Sequence, residues 1–124
     1  MNFTEFTQKI RASIPVGTIL ENPGGGTSTI LSYTLDAVSY RRGNSRMYAS
    51  FRDLFDAYVR FKGGRMSSSD LKKINPAVFD SQARPAGHSC NCTFLFMVLK
   101  KIGLITHIHG KGVSGNPFFV ILPE

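Results

Sequence analysis

Apolar residues recur at helical and then at strand-like spacing along the first half of the chain. Phe3, Phe6 and Ile10 share one face of a helix predicted over residues 2–13. Between residues 18 and 49, alternating apolar and polar positions predict short strands joined by turns, one of them at Gly43-Asn44. This half therefore predicts a helix followed by a small antiparallel sheet.

The second half predicts a series of helices. Helical spacing over residues 50–62 predicts the first, and a Ser-Ser-Ser-Asp capping box at 67–70 predicts the next. Asn75-Pro76 begins a short third helix, because proline is tolerated in a first helical turn. After a loop over 81–87, an apolar stretch without Gly or Pro predicts a longer helix over 88–102, which a glycine ends.

A hairpin is predicted after the longer helix. Residues 104–109 and 118–122 are rich in branched and aromatic side chains, which are typical of strands. They flank Gly110-Lys-Gly-Val-Ser-Gly-Asn-Pro117, a connection long enough to project outward. We expect a two-stranded wing here.

In this order of elements, residues 67–122 resemble the winged helix-turn-helix superfamily, whose members mostly bind duplex DNA. The resemblance implies that the longer helix enters the major groove and that its first residues meet base edges, while flanking elements hold phosphates. The residues available for reading bases are then His88, Ser89, Asn91 and Thr93. Arg84 before this helix and Lys111 in the wing would reach phosphates.

The predicted fold class is α+β. We expect a winged-helix domain over residues 50–124, preceded over residues 1–49 by an N-terminal helix and a β-hairpin extension. The helix over 50–62 should pack against the sheet and also serve as the first helix of the winged-helix unit. The two halves are therefore expected to share one core.

Composition adds a polyanionic partner to this picture. The chain has 124 residues, with 15 Lys and Arg against 8 Asp and Glu, and a formal net charge of +7. Such an excess of positive charge favours nucleic acid as the partner. We predict no membrane span, because no apolar run is long enough, and a cytoplasmic protein, because the N-terminus does not resemble a secretory signal.

Two cysteines and two histidines could form a zinc site: Cys90, Cys92, His107 and His109. On a helix, however, the two cysteines lie about 200° apart around the axis, and their spacing departs from that of structural zinc sites. We therefore favour a partly buried cysteine pair without a metal. A disulfide between residues so close together would be strained, which fits a reducing compartment.

Two further patterns could concern phosphate. The glycine run over residues 22–28 offers backbone amides, but it lacks the lysine of a phosphate loop and leads into a strand, so a turn is favoured. The following hairpin carries Arg41, Arg42 and Arg46 beside tyrosines, and such side chains bind phosphates and stack on unpaired bases. Arginine also keeps an exposed hairpin soluble, so both interpretations stay open.

The sequence has no recognisable nucleophile motif and no cluster of acids, and we predict a binding protein, not an enzyme, without a cofactor. The predicted partner is double-stranded DNA. The protein would be a small transcriptional regulator or accessory factor using helix 88–101 and wing 109–117, and a homodimer is one expectation because such regulators often match palindromes. The alternative is a winged-helix module that docks a protein partner through an exposed apolar stripe over 94–99.

Overall fold

The structure, a computed structural model, describes residues 1–83 and 87–124 and shows an α+β fold with two antiparallel sheets. The strands of the larger sheet are neighbours in chain order: β1 (Ile19–Glu21), β2 (Thr27–Tyr33), β3 (Ala37–Arg42) and β4 (Ser45–Ser50). The smaller sheet pairs β5 (Arg65–Ser67) with β6 (Phe119–Ile121). The helices are α1 (Phe3–Ser13), α2 (Phe51–Phe61), α3 (Ser68–Ile74), α4 (Pro76–Phe79) and α5 (Cys90–Lys101). Within the described ranges, no helix has both the length and the apolar character needed to cross a membrane.

The predicted starts of α1, α2 and α3 are confirmed, because side chains there satisfy the first backbone amides, whereas α5 begins at Cys90, two residues later than expected, without a side-chain cap. Ser67 and Asp70 form a reciprocal capping box at α3, in which the Ser67 hydroxyl accepts from the Asp70 amide at 3.0 Å. At α2 the Ser50 hydroxyl accepts from the Asp53 amide, also at 3.0 Å. Gly103 follows α5 with φ +85°, the left-handed conformation expected after a helix end.

The prediction of a first wing strand over residues 104–109 is wrong. The chain over residues 104–109 forms no strand, and β6 pairs with β5 instead. Leu104 donates its amide to the carbonyl of Leu99, which turns the chain back over the end of α5, and Ile105 is buried against the core. The wing hairpin is thereby reduced to an isolated bridge between His109 and Phe119.

The connection within the wing is a closely packed turn. Gly110 and Gly112 both have positive φ, and a Cβ at either position would overlap a neighbour: the Pro117 carbonyl for Gly110 and the Phe118 ring for Gly112. Glycine is therefore required at both positions. Lys111 lies between them, with its side chain exposed and its amide bonded to the Asn116 carbonyl.

α5 lies at the centre of one core that both halves of the chain share. Every side chain from Phe94 to Leu99 is buried, so the helix is enclosed around most of its circumference. The Tyr40 ring of β3 stacks on Phe94 with ring centroids 3.9 Å apart and planes 1° apart. Residues of α1, the larger sheet, α2 and the smaller sheet belong to the same buried cluster, as expected from the sequence.

A polar contact joins the sheet to the start of α5 inside this core. The Tyr40 hydroxyl donates to Asn91 Oδ1 at 2.6 Å, and Asn91 Nδ2 donates to the carbonyl of Val78 at 3.1 Å. Asn91 is only 2% exposed. Burial raises the pKa of Tyr40 above its ordinary range, so the hydroxyl remains a donor at neutral pH. The contact therefore fixes β3 against the first turn of α5.

Tyr40→Phe should lower the free energy of unfolding by about 1–3 kcal/mol, because the buried oxygen of Asn91 loses its donor. Urea unfolding measures this change. Tyr48→Phe is the matched control, since Tyr48 is 61% exposed and its hydroxyl should contribute less than about 0.5 kcal/mol. Equal, small effects of the two substitutions would contradict a structural role for the Tyr40 hydroxyl.

Candidate nucleic-acid interface

The first turn of α5 lies between two clefts. We call the larger one, of about 700 Å³, the hairpin cleft; it is lined by Asn22, Gly25, Gly26, Thr27, Thr29, Arg41, Arg42, Gly43, Ser45, Met47 and Cys90. We call the other, of about 420 Å³, the wing cleft; it is lined by Ser68, Ser69, Lys72, Ser89, Cys92, Thr93, Gly112, Val113, Ser114, Gly115, Pro117 and Phe118. Among the described residues, neither lining contains an acid.

The hairpin cleft brings together two patterns that are separate in the sequence. Because the strands run antiparallel in chain order, the β1–β2 turn and the β3–β4 turn lie at the same end of the sheet. The first turn contains the glycine run, where Gly25 and Gly26 both have positive φ. The second turn places Arg41 and Arg42 beside it. Guanidinium groups, hydroxyls and open backbone therefore surround one space.

The wing cleft is formed by the starts of α3 and α5 and by the wing connection. Its lining is rich in hydroxyl groups, and Lys72 is its charged residue. The Phe118 ring contacts Gly112, and it lies 3.6 Å from the position of a Cβ on Gly24. The wing is therefore packed against the glycine run of the neighbouring cleft.

Arg42 and Thr93 connect the two clefts. The Arg42 guanidinium donates to the Thr93 hydroxyl at 3.4 Å across the start of α5. This start has no acidic residue in its first turn, whereas Glu5, Asp53 and Asp70 occupy the first turns of α1, α2 and α3. The partial positive charge of the helix start therefore adds to that of the nearby cations.

The cations of the clefts are not neutralised by neighbouring acids. Among residues 1–83 and 87–124, the one ion pair within 4.0 Å joins Arg52 to Asp56 on α2 at 3.8 Å. Within this part of the chain, Arg41, Arg42 and Lys72 have no carboxylate at that distance. Their charge is thus available to an external anion.

The structure brings some predicted site residues to this surface and separates others. Ser89 and Thr93 line the wing cleft, and Arg41 and Arg42 line the hairpin cleft. Ser89 bonds to the Ser81 hydroxyl at 2.9 Å, so it is partly engaged within the protein.

The other predicted residues lie elsewhere. His88 lies at a separate small cleft beside Tyr48, and Arg46 lies on the outer face of the sheet, where it bonds to serines. Lys111 is exposed in the wing connection without lining the wing cleft. Arg84 falls outside the described residues.

The structure does not support the prediction that Asn91 reads a base. A base can be read by this amide only if its side chain points outward, but the side chain points into the core and bonds to Tyr40 and Val78. The same enclosure applies to the middle of α5, so only its first and last turns are open to a ligand. Sequence reasoning also missed Lys72, which the Lys72-Lys73 pair one turn into α3 could have indicated.

The cysteines and histidines do not assemble as zinc ligands. Cys92 is buried in the core, while Cys90 is half-buried at the hairpin cleft. The rings of His107 and His109 lie 5.3 Å apart, and His109 stacks on Phe119. In the part of the chain that the structure describes, no three His, Cys, Asp or Glu side chains are grouped so that they could hold a metal ion.

No protein-family model, no curated protein and no solved structure matches this chain.

The two cysteines should differ in reactivity. Burial raises the pKa of Cys92 to about 12, which keeps it a protonated, enclosed thiol at neutral pH. Native protein treated with iodoacetamide should therefore be alkylated first at Cys90 and much more slowly at Cys92, as measured by peptide mass spectrometry. In urea both should react at similar rates. Faster native labelling of Cys92 would contradict the position of α5 in the core.

Proposed function

We propose that the protein binds nucleic acid, duplex DNA above all, through the hairpin cleft and the wing cleft, with the first turn of α5 between them. One observation carries this proposal. Three cations, Arg41, Arg42 and Lys72, surround an accessible helix start in two adjoining clefts, and no acid lines either cleft in the described ranges. Such a surface is complementary to a row of phosphates.

The arrangement suits the phosphate backbone better than the base edges. The forked guanidinium groups of Arg41 and Arg42 can each pair with two phosphate oxygens, and Lys72 can act as a point charge one cleft away. The hydroxyls of Ser68 and Ser69 add neutral donors at the start of α3. These contacts would fix the protein on the duplex without reading its sequence.

The topology supports assigning residues 50–124 to a winged-helix unit. The elements follow the order α2, β5, α3, α4, α5 and β6, and β5 pairs with β6 across the unit. In this chain the preceding sheet would extend the unit by presenting an arginine hairpin beside the helix start. This arrangement fits a small regulator or accessory factor that binds the phosphate backbone. Any preference for a DNA sequence would then have to come from the first turn of α5 or from DNA shape.

A second candidate function is docking of a protein partner. The surface that supports it differs from the one expected from the sequence. Phe94 and Leu99 are both fully buried, so the apolar stripe expected over 94–99 is not exposed. A different cleft of about 560 Å³ lies between the edge strand β1 and the end of α5; it is lined by Ile19, Leu20, Glu21, Met97, Lys100, Lys101 and Ile108. Apolar side chains beside two lysines and a strand edge would suit an extended acidic peptide.

Removing single charges tests the proposed interface. Arg42→Ala and Lys72→Ala should each weaken binding to all duplexes alike and flatten the dependence of log affinity on log salt by about one unit. Lys9→Ala is the matched control, because it removes the same charge from an exposed position on α1. Gel-shift or anisotropy titrations at several salt concentrations measure the slopes.

Three results would contradict the proposal. Wild-type protein that binds no duplex at low salt would remove it altogether. An effect of Lys9→Ala as large as that of Arg42→Ala would show that net charge alone is responsible. If Lys100→Ala were the strongest variant, the interface would lie at the opposite end of α5.

A further inference from the structure

We infer that the outer face of the four-stranded sheet holds an unpaired nucleotide, with Tyr48 as the stacking surface and Arg41 and Arg46 on its phosphates. The inference rests on the proposed function and narrows the ligand to a nucleic acid with a single-stranded segment beside a duplex. Residues of the clefts would then hold the duplex, and this face would hold the strand that leaves it.

The register of β3 and β4 places these side chains together. Arg41 pairs with Arg46, and Ser39 pairs with Tyr48, two positions along the strands. Directly paired residues and those two positions away point to the same side of a sheet. Tyr40, between Ser39 and Arg41, points into the core, so this set lies on the opposite face of the sheet, where Arg41, Arg46 and Tyr48 are exposed and Ser39 is buried.

Arg41 and Arg46 place two positively charged residues directly opposite each other on β3 and β4. Like charges directly opposite on neighbouring strands are destabilising, and neither guanidinium has a carboxylate within 4.0 Å among the described residues. Arg46 is nevertheless held in place, since it donates to the hydroxyls of Ser32 and Ser39, at 3.3 Å each. A phosphate group bound by Arg41 and Arg46 would remove the repulsion.

Tyr48 offers the ring surface that an unpaired base needs. It is 61% exposed, while Tyr40 and Tyr58 are buried and Tyr33 is half-buried. The Arg46 guanidinium lies over one face of this ring, 5.7 Å from its centre, so a base stacked on the opposite face would be a close neighbour of a phosphate on Arg46. Aromatic stacking of this kind accepts any base, because every base has a flat apolar face.

Among the described residues, the small cleft beside Tyr48 is lined by one acid, and that acid is hydrogen-bonded within the protein. Tyr48 borders a small cleft that His88 and Asp53 also line. The Asp53 carboxylate accepts from the Ser50 hydroxyl at 2.7 Å and from the Asn75 amide at 3.4 Å. These donors offset the charge of Asp53 next to the proposed base site.

Arg41 makes the face continuous with the proposed duplex site. It belongs to the lining of the hairpin cleft, and it is also the cross-strand partner of Arg46 on the outer face. A strand leaving a duplex in the cleft could therefore pass from Arg41 to Arg46 and place its next base on Tyr48. The ligand class that fits both surfaces is a junction of duplex and single strand.

A tryptophan reporter tests this site. The chain contains no Trp, so Tyr48→Trp introduces a single tryptophan whose fluorescence is quenched when a base stacks on it. The probe is oligodeoxythymidine of about ten nucleotides, within the usual site size for single strands. We expect quenching in Tyr48→Trp and none in the control Val59→Trp, which places the reporter at an exposed position of α2.

Affinity measurements complete the test. Tyr48→Ala should weaken oligodeoxythymidine binding about tenfold, Tyr48→Phe should retain it, and neither should change duplex binding. Equal quenching of both reporters, no quenching at position 48, or full affinity in Tyr48→Ala would overturn the inference. If any of those results came with intact, salt-dependent duplex binding, the proposed function would stand and only the site at Tyr48 would be excluded. If the wild type bound no nucleic acid at all, the proposed function and the site at Tyr48 would both be excluded.

Discussion

The hydroxyl of Tyr40 bonds to Asn91 within the core, and its ring stacks on Phe94 one turn further along α5. Because both contacts are buried, they hold β3 against the helix in a single register, and breaking a buried hydrogen bond is costly because it leaves a polar group without a partner. The next residues of β3 are the arginines of the hairpin. The position of Arg42 beside Thr93, and with it the joining of the two clefts, follows from this interior contact.

Local chemistry made much of the fold predictable. Capping boxes, a proline in a first turn and glycines after helix ends determine where elements begin and stop, and each acts within a few residues. The prediction of a strand over 104–109 was wrong because a composition typical of strands does not show which partner a strand will pair with. In the structure β6 pairs with β5. Asn91 was misplaced although a signal existed: on a helix it shares a face with Phe94, Leu95 and Val98, all of them buried.

The candidate site could be predicted only in pieces. The glycine run, the arginine hairpin and the helix start were each noticed in the sequence, but their meeting depends on strand order and on the packing of the sheet against α5. The Lys72-Lys73 pair was the available signal for Lys72, but lysines near a helix end usually indicate only an interaction with the helix dipole. The surface is therefore formed by segments that are distant in the sequence, and no local pattern describes it. Its net charge can be judged only when the positions of the neighbouring acids are known.

The position of the interface can be mapped directly by NMR, following the backbone amide shifts of the protein during titration with a short DNA duplex at low salt. Our account predicts that the largest changes fall on residues 41–45, 89–93 and 111–115, which lie at the two clefts and in the wing. Changes centred instead on residues 19–21 and 97–101, at the other end of α5, would contradict it, as would a spectrum that the duplex leaves unchanged.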